Sequence, residues 1–311
     1  MAFDPADLRG VHLVPLTAFD ASNRINEEVQ AQHIRNMYDA GVRIFMPAAG
    51  TSEFQSLSLD EIVKVVEITR ENSGPDAQIF AAVGFQVQHA IDIGRRALEV
   101  GATGIMFMPF AHPYLSNEGA RDYYLTVLEA TKCPALIYKK APIPSDALLL
   151  ELADNEYVVG VKHATNEMHE FRKVIQADGG RIEWICGSAE RFAPYYMLAG
   201  SPGFTTGAGN LCPHLSLACH AAFAAGQWEE GMRLQAMILP IEDFRARNGD
   251  SYNVSMLKYA MGLMGPDFGP ARPPQRQLTA QDRAEIDALM KPIFAAEAEF
   301  RREAQSVGLS G

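Results

Sequence analysis

Short apolar runs alternate with amphipathic segments along the first two thirds of the chain. The amphipathic segments carry apolar residues at helical spacing, and one of them opens with Ser58 and Glu61 in the pattern of a capping box. Eight strand–helix units predict parallel strands joined by helical crossovers. The strand-like runs are 12–17, 43–48, 78–83, 104–108, 135–138, 158–162, 182–186 and 203–206.

Eight such units predict an α/β fold, a (β/α)8 TIM barrel, over residues 1–212. A doubly wound sheet is the alternative, but such a sheet usually carries a glycine-rich phosphate loop after its first strand. Here that position reads Thr17-Ala18-Phe19-Asp20. The strand pattern ends near Pro213, so residues 213–311 are predicted to form a C-terminal helical appendage beside the barrel.

Composition and charge narrow the class of protein. Of the 311 residues, 48% are hydrophobic and 21% are charged, as in globular proteins, and no apolar run reaches the roughly 18 residues of a membrane span. A net charge of −11 argues against nucleic-acid partners. The first residues lack the basic and apolar regions of a secretory signal, so we expect a cytoplasmic protein with no membrane partner.

Metal chemistry is not expected from this sequence. The cysteines have no CxxC spacing, and no cysteine–histidine cluster resembles a zinc site. His214 and His220 flank Cys219, but they lie on a predicted helix without acidic ligands. We therefore expect no metal site.

Lys162 ends the sixth strand-like run and is the most informative residue of the chain. Burying an ammonium is costly, so a lysine here is paired, partly deprotonated, or extended so that its head reaches solvent. A deprotonated lysine amine attacks ketones and forms a Schiff base. Lys140 is the alternative nucleophile, because alternation places it on the same face as Tyr138 but two residues further out.

Two further candidates fall at strand ends, where barrels carry their catalytic groups. Tyr138 ends the fifth strand and Thr51 follows the second. Neighbouring strands lie about 4.8 Å apart, so Tyr138 is expected to approach Lys162. Schiff-base chemistry needs a proton shuttle, which a tyrosine hydroxyl supported by a threonine hydroxyl provides. Taken singly, strand-end packing explains Tyr138 and an ordinary helix-entry turn explains Thr51.

Together these motifs resemble the dihydrodipicolinate synthase/N-acetylneuraminate lyase family, which are class I, lysine-dependent barrels. The resemblance runs from Gly10-Val11-His12-Leu13-Val14-Pro15 to Pro273-Pro274. It implies that Lys162 forms the imine, so that no separate cofactor is needed, and that Tyr138 relays protons. It also implies a substrate-carboxylate loop and pocket-lining residues, namely Gly50, Thr51, Ser52, Gly187, Thr205 and Thr206.

Within that family, residues 49–54 and 265–274 look most like the 5-dehydro-4-deoxyglucarate dehydratases. The chain departs from that group where Lys139-Lys140 replaces Asn-Arg, His163-Ala164 replaces Asp-Gly, and Thr205-Thr206 replaces a pair of serines. A dihydrodipicolinate synthase is disfavoured, because Ile143 stands near its carboxylate-binding arginine and the loop 110–114 lacks its second relay tyrosine.

The resemblance therefore implies a lyase that dehydrates a 2-keto acid sugar derivative, with or without loss of CO2. A diacid substrate needs a cation for its distal carboxylate, and Lys139, Lys140 or His112 is expected to supply it. The alternatives are a 2-keto-3-deoxy sugar acid aldolase or another pyruvate-dependent aldolase, and a non-catalytic keto-acid-binding homologue. The family usually assembles as a dimer of dimers, so a homotetramer is expected.

Overall fold

Eight parallel strands close into a barrel in the computed structural model, which describes residues 3–265 and 267–308. Each strand pairs with its sequence neighbours, and β8 returns to pair with β1. The predicted TIM barrel is therefore confirmed. The strands are β1 Val11–Leu13, β2 Ile44–Phe45, β3 Gln78–Val83, β4 Gly104–Phe107, β5 Ala135–Lys139, β6 Val158–His163, β7 Glu183–Cys186 and β8 Phe204–Thr206.

Helices connect the strands and continue after β8. Three short 3₁₀ turns, Pro5–Leu8, Phe54–Ser56 and Ala208–Asn210, accompany them. The helices are α1 Glu27–Asp39, α2 Leu59–Glu71, α3 Val87–Glu99, α4 Asn117–Thr131, α5 Asp146–Leu152, α6 Met168–Asp178, α7 Ala189–Ala199, α8 Pro213–Ala224, α9 Trp228–Arg245, α10 Arg247–Asp250, α11 Ser255–Leu263 and α12 Ala280–Gly308.

Local sequence explains where several elements begin and end. Helix α2 starts at the predicted capping box, in which Ser58 and Glu61 exchange side-chain to backbone hydrogen bonds. The first two strands are shorter than their apolar runs. Pro15 and Pro47 follow them closely, and proline has no N–H to donate to a neighbouring strand.

The helical appendage has an apolar core of its own. A second buried cluster joins residues of α8, α9, α11 and α12, including Leu234, Ile238 and Ile286, to Leu16 and Ala18 from the segment after β1. The appendage is therefore packed against the end of the barrel where β1 terminates. This packing brings α9 and the segment after it next to the loops that follow the strands.

The boundary at residue 212 lies directly before α8, the helix that follows the last strand. Helix α8 packs on both α7 and α9, so it joins the ring of barrel helices to the appendage. Among the residues that the structure describes, no helix has the length and apolar character needed to cross a membrane.

Candidate active site

A cavity of about 710 Å³ opens at the carboxyl ends of the strands. Residues from the ends of β5, β6 and β8 line it, together with the loops after β2, β4 and β7 and part of the appendage. This is the end of a (β/α)8 barrel at which active sites lie. Of the predicted site residues, the lining includes Gly50, Thr51, Tyr138, Lys140, Lys162, Gly187, Thr205 and Thr206.

Lys162 lies near the end of β6 and lines this cavity, although its side chain is only 4% exposed. Burial, together with the charges of Lys140 and Arg245, lowers the pKa of its amine to about 7. An amine with such a pKa is largely neutral just above neutral pH. The neutral form is the one that attacks a carbonyl.

Tyr138 is the register partner of Lys162 on the adjacent strand β5. The Lys162 Nζ atom lies 4.1 Å from the centroid of the Tyr138 ring. Burial raises the pKa of the Tyr138 hydroxyl, and the charge of Asp250 raises it further, so the hydroxyl stays protonated at neutral pH. Since this side chain lines the cavity, it can present a proton donor to a molecule bound at Lys162.

Thr51 lies in the turn between β2 and the 3₁₀ turn at Phe54–Ser56. Its hydroxyl donates to Asn253 Oδ1 over 3.2 Å and accepts from Arg245 Nη2 over 3.3 Å. The expected Thr51–Tyr138 hydrogen bond is not formed among the described residues, because both partners of the Thr51 hydroxyl come from the appendage. The backbone N–H groups of Thr51 and Ser52 have no hydrogen-bond acceptor among the residues that the structure describes.

Three of the described residues named from sequence are not among those that line the cavity. Ser52 is fully buried and its hydroxyl donates to the carbonyl of Pro15. His112 is exposed, and its Nδ1 accepts from the N–H of Tyr114. Lys139 is buried, and its amine donates to the carbonyl of Pro144 over 2.6 Å. The predictions that Ser52 and His112 contact substrate through their side chains, and that Lys139 supplies a cation, do not fit this geometry.

Gly187 and the two threonines of β8 complete the floor of the cavity. A Cβ atom at Gly187 would lie 2.9 Å from Lys162 Cγ, so a glycine is needed beside the lysine stem. The Thr206 hydroxyl donates to Glu190 Oε1 over 2.5 Å and accepts from the N–H of Gly209. Thr206 therefore connects the cavity to a buried carboxyl group.

Lys140 lies at the rim and is the more available of the two adjacent lysines. Its side chain is 56% exposed, and its amine lies 3.7 Å from a carboxylate oxygen of Asp250. Asp250 ends the short element α10, which does not have a regular helical backbone, because Asn248, Gly249 and Asp250 all have positive φ. This loose surface pair leaves Lys140 free to bind another anion.

The appendage contributes charged groups that the sequence analysis missed. Glu242 and Arg245 are buried on α9 and line the cavity, and their side chains form an ion pair over 2.5 Å. They share a helix face with Ile238 and Ile241, at the spacing i, i+3, i+4 and i+7. Two charges on an otherwise apolar helix face were a detectable sign of a polar site.

The charge of the cavity differs from that of the whole chain. Four basic residues line it, against two acidic ones, Glu242 and Asp250, although the chain carries a net charge of −11. The basic residues are Lys140, Lys162, Arg191 and Arg245. An electropositive cavity favours an anionic ligand. Among the described residues, no group of three or more side chains is placed to hold a metal ion.

This chain is similar to known proteins over nearly its whole length. A probable 5-dehydro-4-deoxyglucarate dehydratase of Bacillus subtilis is 29% identical, with 92% of this chain and 94% of that protein aligned. An uncharacterised DapA-like lyase of Halobacterium salinarum is also 29% identical, over 92% of this chain and 94% of that protein.

The dihydrodipicolinate synthase structure from Oceanobacillus iheyensis superposes with a TM-score of 0.89 and 30% identity, over 93% of this chain and 97% of that one. Residues 7–293 match a single family throughout. The chain therefore belongs to the dihydrodipicolinate synthetase family.

Proposed function

We propose that this protein is a Schiff-base-forming lyase that acts on a 2-keto acid sugar derivative, as a decarboxylating dehydratase of the 5-dehydro-4-deoxyglucarate type. Family membership supports lyase activity in general. The observation that carries the specific proposal is the buried Lys162 amine, whose pKa is lowered to about 7 at the floor of an electropositive cavity. The name of the Bacillus subtilis relative supports the dehydratase assignment.

The first step of the proposed reaction joins Lys162 to the substrate. The neutral amine attacks the ketone carbon, and the resulting carbinolamine loses water to give a protonated imine. The imine withdraws electrons, so the neighbouring carbon loses a proton and an enamine forms. The enamine then expels a hydroxyl group from the next carbon, which leaves as water after it is protonated and gives a conjugated imine. The distal carboxylate leaves as CO2, and the electron pair of the broken carbon–carbon bond passes into this conjugated imine. Protonation on carbon and attack of water on the imine then release the product and regenerate the Lys162 amine. Lys162 thus serves as the covalent group, and no further cofactor is invoked.

Tyr138 is the proposed proton shuttle for these steps. The Tyr138 side chain lines the cavity next to Lys162, and its hydroxyl stays protonated because burial raises its pKa. A protonated hydroxyl can donate to the carbinolamine oxygen and take a proton back later. Thr51 contributes through the turn at 50–52. The backbone N–H groups of Thr51 and Ser52 have no acceptor among the described residues, so they can bind the carboxylate next to the ketone.

The distal carboxylate of a diacid is assigned to Lys140. This residue lines the cavity and holds only the exposed Asp250 at 3.7 Å. A carboxylate of the substrate can replace that partner. An ammonium on a flexible stem is a looser clamp than a guanidinium fork, so we expect broader selectivity for chain length than an arginine would give.

An aldolase is the second candidate, because imine and enamine also precede retro-aldol cleavage. The Oceanobacillus iheyensis structure named dihydrodipicolinate synthase supports it, at 30% identity. Ile143 at the position of that enzyme type's arginine argues against the same substrate. A non-catalytic keto-acid-binding homologue is disfavoured, because a binding protein has no need of a buried lysine with a lowered pKa.

Assembly and location complete the proposal. We propose a cytoplasmic homo-oligomer, a tetramer built as a dimer of dimers. Large apolar side chains at the surface, including Tyr114 at 88% exposure and Leu198 at 71%, are consistent with contacts between copies. Light scattering after size-exclusion chromatography gives the number of copies directly.

A substrate screen tests the reaction. The purified protein is incubated with 2-keto-3-deoxy sugar acids and diacids, and the products are identified by mass spectrometry. Loss of water and CO2 from 5-dehydro-4-deoxyglucarate supports the dehydratase. Cleavage to pyruvate as the sole activity assigns the aldolase instead, and no turnover of any keto acid leaves the non-catalytic homologue.

A further inference from the structure

Arg245 is a buried basic residue of the cavity that has no role in the proposed reaction. It lies at the end of α9, is only 4% exposed, and lines the same cavity as Lys162. Its charge is close enough to contribute to the lowered pKa of Lys162. An arginine in this position comes from the appendage rather than from the barrel.

The hydrogen bonds of Arg245 fix its guanidinium beside Thr51. Nε donates to the carbonyl of Asn253 over 3.1 Å, and Nη1 donates to Glu242 over 2.5 Å. Nη2 donates to Asn253 Oδ1 over 2.9 Å and to Thr51 Oγ1 over 3.3 Å. A guanidinium has five N–H donors, so these four bonds leave one Nη1–H for a ligand.

The backbone of β8 keeps this guanidinium at the mouth of the barrel. A Cβ atom at Gly207, directly after the strand, would lie 2.4 Å from Arg245 Nη2 and 2.6 Å from Nη1. The guanidinium therefore lies flat against the backbone of Gly207. It occupies space that any other residue at that position would fill.

We propose that Arg245 binds the carboxylate next to the ketone of the keto acid held by Lys162; this inference rests on the proposed function. That carboxylate is bonded to the carbon that Lys162 attacks, so it must lie near both the lysine amine and the turn at 50–52. Arg245 contacts Thr51 in that turn and has one donor left. A charge-assisted hydrogen bond from a guanidinium is stronger than one from a neutral donor.

Glu242 makes the arrangement stable before substrate arrives. An unpaired buried guanidinium is costly, and the ion pair with Glu242 compensates for that cost. A simpler reading makes the Glu242–Arg245 pair a purely structural clamp between the appendage and Thr51. The two readings differ in one respect, since a clamp does not distinguish a charged ketone from a neutral one.

Trapping with borohydride separates these readings. The full-length protein is incubated with increasing pyruvate or with hydroxyacetone, a ketone that lacks the carboxylate, and the adduct on Lys162 is quantified by peptide mass spectrometry. For Arg245→Met, the pyruvate concentration that gives half-maximal trapping is expected to rise about tenfold or more, the usual effect of losing a charged hydrogen bond. Both ketones are compared at pH 9, well above the lowered pKa of Lys162, so that loss of the Arg245 charge does not change how much of the amine is neutral. At that pH the hydroxyacetone concentration for half-maximal trapping stays unchanged.

Two further variants protect the test against misfolding. Glu242→Gln combined with Arg245→Met leaves no unpaired carboxylate and should show the same selective loss for pyruvate. Arg245→Lys keeps the charge and should recover part of the pyruvate affinity. Thermal unfolding of each variant, followed by circular dichroism, identifies those that fold.

Arg233→Met is the matched control, because Arg233 lies on the same helix as Arg245 but is exposed, pairs with Glu230 and does not line the cavity. We expect it to trap pyruvate like the unmodified protein. The carboxylate role is overturned if the Arg245 variants weaken the trapping of pyruvate and of hydroxyacetone equally, or weaken neither. That result leaves the Schiff-base proposal intact. Failure of the unmodified protein to trap either ketone refutes the proposed function, and this inference with it.

Discussion

The Nζ atom of Lys162 lies 4.1 Å from the centroid of the Tyr138 ring, and the two residues are register partners on adjacent strands. An aromatic face attracts an ammonium, which by itself favours the charged lysine. Burial acts in the opposite direction and dominates, since the pKa of Lys162 is lowered to about 7. The pair therefore places a partly neutral amine beside a protonated hydroxyl.

Replacing Lys162 tests the nucleophile. We expect Lys162→Met to abolish borohydride-dependent attachment of pyruvate, because no other buried amine lines the cavity in the described part of the chain. Lys140→Met should still be labelled, because it keeps Lys162 and loses only an amine that is half exposed. Intact-mass spectrometry after reduction measures both. An adduct mapped to Lys139 or Lys140, with none on Lys162, would assign the nucleophile elsewhere.

Replacing Tyr138 tests the proton shuttle. We expect Tyr138→Phe to lower kcat by about 10²–10⁴, the usual range for loss of general acid–base catalysis. The ring and its contact with Lys162 remain, so thermal stability should change little. The measurement is steady-state turnover of the substrate identified by the screen. Turnover equal to that of the unmodified protein would exclude Tyr138 from proton transfer.

The barrel and the Lys162–Tyr138 pair were predictable because they follow from local patterns. Alternating apolar runs and helical segments specify parallel strands, and neighbouring strands in a parallel barrel bring their end residues together. The sixth strand extends one residue further than predicted, to His163, which is buried against Phe171. That difference does not move Lys162 away from the cavity.

The roles of Arg245 and Asn253 were not predictable in the same way. Their hydrogen bonds to Thr51 join residues 194 and 202 positions apart, and no local pattern encodes such pairs. The positions of the Ser52 and His112 side chains, which are not among those lining the cavity, were unpredictable for a related reason. Both lie in irregular loops, where backbone dihedral angles rather than a period of two or 3.6 decide which way a side chain points.

Lys140 offers a test of substrate charge. We expect Lys140→Met to raise KM for a keto diacid more than for a keto mono-acid, because only the diacid has a distal carboxylate to bind. Initial rates over a range of both substrates give the two KM values. Asp250→Asn is a useful companion, since it removes the anion that competes for Lys140 and should lower KM for the diacid. Equal changes for diacid and mono-acid would remove Lys140 from distal recognition.

Lys140 also influences the pH dependence of imine formation. Its charge lowers the pKa of Lys162, so its removal should raise that pKa. The rate of pyruvate trapping rises with pH as Lys162 loses its proton, with a midpoint near 7 in the unmodified protein. We expect the midpoint for Lys140→Met to move to higher pH.

Trapping reactions are run at a series of pH values from 6 to 9. Samples taken over time from each reaction are reduced and stopped, and they give the trapping rate at that pH. Lys132→Met serves as the control, because that exposed lysine lies at the C-terminal end of α4, before β5 and away from the cavity. Its midpoint should match that of the unmodified protein. A midpoint for Lys140→Met that stays in place or falls would contradict the electrostatic coupling.

Glu190 links the cavity to pH-dependent stability. Its carboxyl is fully buried and accepts from the hydroxyls of Thr206 and Ser216, while its Oε2 atom has no hydrogen-bond partner among the described residues. Burial, together with the nearby charge of Glu242, raises the pKa of this carboxyl to about 7. The folded protein therefore holds a proton on Glu190 that the unfolded chain releases near pH 4.5.

This difference fixes the sign of the effect. Below about pH 4.5 both states are protonated and Glu190 carries no penalty, whereas between there and about pH 7 the unfolded chain binds fewer protons, so the free energy of unfolding falls as pH rises.

Glu190→Gln removes this titration. The variant should gain stability relative to the unmodified protein between pH 5 and pH 8, by a few kcal/mol at most, since one pKa unit corresponds to about 1.4 kcal/mol. Urea unfolding at the two pH values measures the gain, and Glu99→Gln, an exposed carboxylate on α3, is the control. A difference between Glu190→Gln and the unmodified protein that is the same at pH 5 and pH 8 would show that Glu190 does not titrate in this range.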